Sequence, residues 1–185
     1  ADEEAKSDFT KMNSEVQKIV EDYDFGSVIF FANNIKETEQ SFNLTMDLQK
    51  AATKDNGIPL LITTDQEGGI VYRLGSGTAL PGNMALGATG DVNNAKIAGE
   101  IIGSELSSLG INTTLAPVVD VNNNANNPVI GLRSYGEDAE MVGKMASAEI
   151  EGLAEYNVIG CAKHFPGHGD TATDSHYGLP MVNKS

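Results

Sequence analysis

Four short, nearly continuous apolar or β-branched runs divide the chain: Ser27 to Phe31, Pro59 to Thr64, Thr113 to Asp120, and Val158 to Lys163. Runs of this length without polar alternation suit parallel strands covered on both faces. Between them the apolar residues take helical spacing. Val16, Ile19, Val20 and Tyr23 form one stripe, and Leu44, Leu48, Ala51 and Ala52 a second. Ala98, Ile101, Ile102, Leu106 and Leu109 form a third, and Val142, Met145, Ala146, Ile150 and Leu153 a fourth. These stripes read as core faces, and Gly57 and Gly110 stand where a chain leaving a helix turns toward the next strand. Alternating strand and helix predicts an α/β fold with a parallel sheet. A doubly wound sheet would be complete in 185 residues, whereas a (β/α)8 barrel needs about 250. The pattern alone leaves both open.

Either architecture places ligands at the carboxyl ends of the strands, and the polar chemistry gathers there. Asp65-Gln66-Glu67-Gly68-Gly69 follows the second run, Asn122 to Asn127 and Arg133 follow the third, and His164 to His176 follow the fourth. The Asn-rich patch itself reads as a solvated loop. The glycine-rich stretch from Leu74 to Asp91 reads as a long surface connection.

Composition narrows the partners. A formal net charge of −14 argues against nucleic acid and anionic membrane surfaces, which would repel the chain. No run approaches the roughly 18 to 20 apolar residues of a membrane span. The single cysteine, Cys161, excludes an internal disulfide and a Cys-rich metal site. Its apolar neighbours predict a buried structural thiol. The chain begins Ala1-Asp2-Glu3 without methionine. An exported protein with its signal removed and a trimmed cytoplasmic chain would both start this way, so the compartment stays open.

The densest chemistry lies in Lys163-His164-Phe165-Pro166-Gly167-His168-Gly169-Asp170-Thr171-Ala172-Thr173-Asp174-Ser175-His176. All three histidines of the chain fall here, with two aspartates and a lysine. Histidine changes charge most readily near neutrality, so the segment is equipped for proton transfer. In Asp174-Ser175-His176 the aspartate can fold back to accept an imidazole N–H. A metal site is the rival, because His164 and His168 are four apart. That spacing needs a helix, and Phe165-Pro166-Gly167 breaks one, so no metal is expected. Asp65 could accept two hydrogen bonds from sugar hydroxyls, with Gly68 and Gly69 admitting close approach of the backbone and Arg73 nearby. Arg133 either binds ligand or pairs with Glu137 or Asp138. Neither phosphate-binding glycine fingerprint occurs, so no nucleotide cofactor is expected. The Gly-x-Ser-x-Gly elbow of serine hydrolases does not occur either.

Four blocks together carry a resemblance. They are Ile62-Thr63-Thr64-Asp65-Gln66-Glu67-Gly68-Gly69 with Arg73, Leu115-Ala116-Pro117-Val118-Val119-Asp120-Val121, Ile130-Gly131-Leu132-Arg133-Ser134-Tyr135-Gly136, and Lys163 through His176 with Leu179-Pro180. In order and content they resemble the bacterial β-N-acetylglucosaminidases of glycoside hydrolase family 3. The last block distinguishes that branch from the family's β-glucosidases. The resemblance implies a (β/α)8 barrel and a retaining mechanism, in which two groups flank the scissile bond as nucleophile and acid/base. It makes His176 the acid/base and Asp174 its partner. It assigns Asp65, Arg73, Arg133, Lys163 and His164 to the sugar and its N-acetyl group, and leaves Asp120 between a ligand and a structural role. No cofactor is expected.

In the family the nucleophilic aspartate lies well downstream, on a later strand. With four strand candidates and Ser185 nine residues past His176, residues 1–185 are expected to be the N-terminal part of one barrel, without its C-terminal half and inactive alone. Exposed half-barrel edges predict self-association. The expected partner is a carbohydrate containing N-acetylglucosamine, from cell-wall or chitin glycosides. Phosphorolysis by the same dyad and non-catalytic sugar binding are the alternatives.

Overall fold

The structure, a computed structural model, describes residues 8–55 and 57–182. Its elements in order are α1 (Ser14–Tyr23), β1 (Ser27–Phe30), α2 (Thr38–Ala52), β2 (Leu61–Thr64), α3 (Asn83–Ala88), α4 (Val92–Ser108), β3 (Thr113–Thr114), a 3₁₀ turn (Gly131–Arg133), α5 (Ala139–Ala154) and β4 (Ile159–Gly160). Helices begin where a side chain can take up free N–H groups. Asn13 accepts from Val16, Asp91 from Asn93 and Asp138 from Met141. Glu37 and Gln40 close a reciprocal capping box on α2.

The four strands form one parallel sheet in the order β1-β2-β3-β4, as the alternating pattern predicts. Alternate side chains point to opposite faces. Phe30 and Ile62 join Leu44, Leu48, Ile102, Leu106 and Leu153 in the main core, on the helix side. The other face is open: Ile29, Leu61 and Ile159 lie in it and are exposed. Strands covered on both faces were expected, and the helices cover only one. Cys161 continues the exposed register of Ile159, which is why it is exposed rather than a buried thiol. In α1 only Val20 is fully buried, while Ile19 and Tyr23 of the expected stripe are exposed.

The third and fourth strands are shorter than expected. Past Thr114 the ladder is irregular, because Pro117 has no N–H to donate. Cys161 N–H reaches both Thr114 O and Ala116 O, at 3.0 and 2.7 Å. Pairing returns at Val118 and Lys163, where Lys163 N–H bonds Pro117 O (3.1 Å) and Val119 N–H bonds Lys163 O (2.7 Å). The two segments thus run together to their ends and bring Asp120 beside His164.

Helices α4 and α5 pack closely because neither has a side chain at the crossing. A Cβ on Gly99 would sit 2.2 Å from Glu149 O, and one on Gly152 2.2 Å from Lys96 O. Leu74 to Asp91 is more than a surface connection, since it contains α3 and buries Leu74 and Leu86. Among the described residues no helix is long and apolar enough to cross a membrane.

Candidate active site

The site forms where the loops after β2, β3 and β4 converge. The chain turns sharply after β2 at Gly68 and Gly69, both with positive φ. A Cβ on Gly69 would sit 2.8 Å from Gly82 Cα, so only glycine fits there. Gln66, itself buried, accepts from the N–H groups of Arg73 (2.8 Å) and Leu74 (3.3 Å) and so places Arg73. Asp65 then receives Lys163 Nζ on one oxygen (2.8 Å) and Arg73 Nη2 on the other (3.4 Å).

Glu67 lies between two cations. Arg133 donates to it from Nε (2.9 Å) and Nη2 (2.7 Å), in the fork geometry that suits a carboxylate. Lys163 also pairs with it. Burial pulls the Arg133 guanidinium toward a lower pKa, but bonds to Glu67 and the charges of Glu67, Asp120 and Asp65 outweigh this and raise it. Arg133 itself is set by neighbours. Asn83 Nδ2 donates to its carbonyl (2.9 Å), and Ser134 Oγ donates to Asp120 O (2.6 Å).

Asp120, 1% exposed, organises the beginning of the histidine segment. It accepts from His164 Nδ1 (2.6 Å) and from the backbone N–H of His168. Arg133 Nη2 lies 3.3 Å from His164 Nε2 and can only donate. Nε2 is therefore the acceptor, and Nδ1 carries the proton toward Asp120. Burial pushes the Asp120 carboxyl up, but the hydrogen bonds from His164 and His168 outweigh it and hold the group below its ordinary value.

The segment then folds back along the loop after β3. Gly169 lies against Val121, where a Cβ would sit 1.8 Å from the Val121 carbonyl oxygen. Asn127 Nδ2 donates to His168 O (2.7 Å), while its oxygen accepts from the N–H groups of Val129 and Ile130 at 2.9 and 2.7 Å. Asn124 Nδ2 reaches Asp170 O (3.3 Å). Beyond this Asp174 accepts from both the backbone N–H (2.9 Å) and Nδ1 (2.6 Å) of His176. The backbone bond first, then the ring bond, hold the Asp174 carboxyl below its ordinary value.

A cavity of about 300 Å³ is lined by Asp65, Arg73, Arg133, Lys163, His164 and His176, together with Glu67, His168 and Ser175. Six of the seven residues singled out from the sequence thus meet in one space, with Asp174 directly behind His176. Three carboxylates, Asp65, Glu67 and Asp120, stand against the three cations Arg73, Arg133 and Lys163, so their formal charges cancel.

Some readings change. Arg133 pairs with Glu67, and not with Glu137 or Asp138. Asp120 is turned inward, where it holds the two histidine positions. The rings of His164 and His168 stand edge to face with centroids 6.1 Å apart, and each ring nitrogen has its own partner. Part of the Asn-rich patch braces the site rather than only meeting solvent. From the sequence Glu67 and Gln66 take no role of their own, and His168 stands only as the second member of a metal pair. An acid directly before Gly-Gly at a strand end was the available signal for Glu67.

The profile of the glycosyl hydrolase family 3 N-terminal domain matches residues 3–185. Beta-hexosaminidase A of Pseudoalteromonas piscicida is 44% identical over 187 residues, covering 97% of this chain and 31% of that protein. A glycoside hydrolase family 3 beta-N-acetylglucosaminidase from Paenibacillus sp. superposes with a TM-score of 0.90 at 46% identity, covering 94% of this chain and 33% of that one. NagZ from Neisseria gonorrhoeae, solved with N-trifluoroacetyl-D-glucosamine, gives a TM-score of 0.87 at 33% identity over 96% of this chain and 53% of that one. The chain therefore spans between about a third and a half of these relatives.

Proposed function

The chain belongs to the glycosyl hydrolase family 3 N-terminal domain family, and from that premise we propose that it supplies most of a site hydrolysing terminal β-linked N-acetylglucosamine with retention. The observation that carries this reading is the cavity that gathers Asp65, Arg73, Arg133, Lys163 and His164 under His176. Asp65 is held rigidly by Lys163 and Arg73, with lone pairs left to accept from sugar hydroxyls. Arg133 and Lys163 provide donors for the sugar oxygens and the N-acetyl carbonyl, and His164, its Nδ1 proton given to Asp120, lines the cavity beside them. His176 gives its Nδ1 to Asp174, so Nε2 is the atom that protonates the departing glycosidic oxygen. The Asp174 charge stabilises the imidazolium before that transfer. After it, neutral Nε2 accepts the proton of the water that releases the sugar. Cell-wall muropeptides and chitin fragments fit as substrates.

The nucleophile lies outside the described residues in this proposal. Asp65 and Glu67 each neutralise two cations and Asp120 is buried, which leaves none of the three a free carboxylate aimed at an anomeric carbon. The four parallel strands, of which β1, β2 and β3 are each followed by a helix, form the N-terminal part of a single (β/α)8 barrel in this proposal. Because the carboxylates of the cavity are neutralised and a histidine acid brings no negative charge, phosphate could also serve as acceptor. A full-length enzyme carrying this sequence should release 4-nitrophenol from its β-N-acetylglucosaminide and yield the β-anomer first, with or without phosphate. Residues 1–185 alone should give no turnover. Release dependent on phosphate would assign a phosphorylase, and binding without turnover by the full-length protein would reduce the site to a sugar-binding module.

A further inference from the structure

The turn carrying His176 is self-contained. The backbone N–H of His176 closes onto the Asp174 carboxylate, and those of Tyr177 and Gly178 close onto Asp174 O, each at 2.9 to 3.0 Å. These bonds shape the turn but do not orient it over the cavity. A bond from Ser175 does connect it to the buried part of the site: Ser175 Oγ lies 3.1 Å from His168 Nε2. His168 is 8% exposed and held from three sides. Asp120 takes its N–H, Asn127 donates to its carbonyl, and Thr171 Oγ1 lies 2.6 Å from Nδ1 and 3.0 Å from the same carbonyl. With the Thr171 hydroxyl turned to that carbonyl, Nδ1 donates to Oγ1 and Nε2 accepts from Ser175; with it turned to Nδ1, Nε2–H donates to the Ser175 hydroxyl. A charged His168 would likewise donate to Ser175, because a hydroxyl accepts as well as donates. The bond therefore exists in both charge states.

We propose that His168 is a positioning residue for acid/base catalysis, acting through Ser175 to hold His176 over the cavity. This rests on the acid/base role of His176. The histidine touches no reacting atom. It transmits the rigidity of the Asp120 cluster to an otherwise exposed turn, and misplacing an acid by about an ångström can slow proton transfer up to ~100-fold.

The test compares kcat/KM on phenyl and 2,4-dinitrophenyl β-N-acetylglucosaminides in a full-length enzyme carrying this sequence. The first leaving group needs protonation and the second hardly does. Ser175→Ala should lower kcat/KM for the phenyl glycoside about 10- to 100-fold and for the dinitrophenyl glycoside less than about 3-fold, with Ser175→Thr restoring the first. His168→Gln, whose amide reaches the Nε2 position, should outperform His168→Asn, whose amide reaches only Nδ1. Should both His168 variants fail to fold, the Ser175 pair on the exposed turn still decides the matter. Equal losses on both substrates for Ser175→Ala, or none, would overturn the proposal. His176→Ala serves as the control: if it too lacks leaving-group dependence, the acid/base assignment fails rather than the positioning role.

Discussion

Arg133 and Glu67, 66 residues apart, face each other through two N–H···O bonds with side chains only 12% and 2% exposed. Lys163 meets the same carboxylate. Removing the acid leaves two buried cations facing each other, so Glu67→Ala should lower stability by about 3–5 kcal/mol. Adding Lys163→Met should recover part of that loss. Denaturant melts of the two variants measure the difference, and no recovery in the double variant would show that Glu67 contributes mainly by packing.

A second buried acid, Glu149, lies beneath the site, with Tyr135 donating to Oε2 and Oε1 unpartnered. Burial, with a smaller push from the Glu67 charge and against the Tyr135 bond, raises its pKa from 4.5 to about 7. The folded state therefore holds a proton that the unfolded state has released. Its contribution is full below about pH 4.5 and falls as pH rises to about 7, a total loss on the order of 3 kcal/mol. Glu149→Gln should flatten stability against pH across that window; an unchanged slope would contradict the assignment.

Tyr135→Phe removes the hydroxyl that bonds this acid. It should destabilise by about 1–3 kcal/mol at pH 7, and pairing it with Glu149→Leu should restore most of the loss. Additive losses in thermal melts would mean that the two side chains are not coupled.

Asn127 joins the loop after β3 to the histidine segment with one donor and one acceptor. Asn127→Asp keeps the acceptor for Val129 and Ile130 but loses the donor to His168 O. Hydrogen exchange should then accelerate over 164–171 while 129–130 stay protected. Equal acceleration of both segments would contradict this division.

The open sheet face should make the isolated 185-residue chain associate, because Ile29, Leu61 and Ile159 are exposed on β1, β2 and β4. Sedimentation at micromolar concentration should show oligomers that Ile159→Lys weakens. A well-behaved monomer would defeat the expectation.

What the sequence made legible follows from range. Helices α2, α4 and α5 announce themselves because helical spacing is local and their caps are adjacent. A continuous apolar run carries no such information about faces, so Ile159 and Cys161 read as buried although the helices cover only the opposite side. The site divides in the same way. Asp174 and His176 are two apart and suggest their own pairing. Lys163 and Asp65 meet across 98 residues, and Glu67 gains its two cations only through the fold. Asn127 looked like one polar loop residue among several until its partners on the histidine segment were in place.

We propose His176 as the acid/base, with Asp174 behind it. The most direct measurement is the turnover of His176→Ala in a full-length enzyme carrying this sequence, on an activated β-N-acetylglucosaminide, with and without azide. General acid–base catalysis contributes about 10²- to 10⁴-fold, so turnover should fall within that range. Azide, a nucleophile that needs no base, should restore it and yield the β-configured glycosyl azide. Turnover within a few-fold of the parent enzyme, with no azide product, would contradict the account.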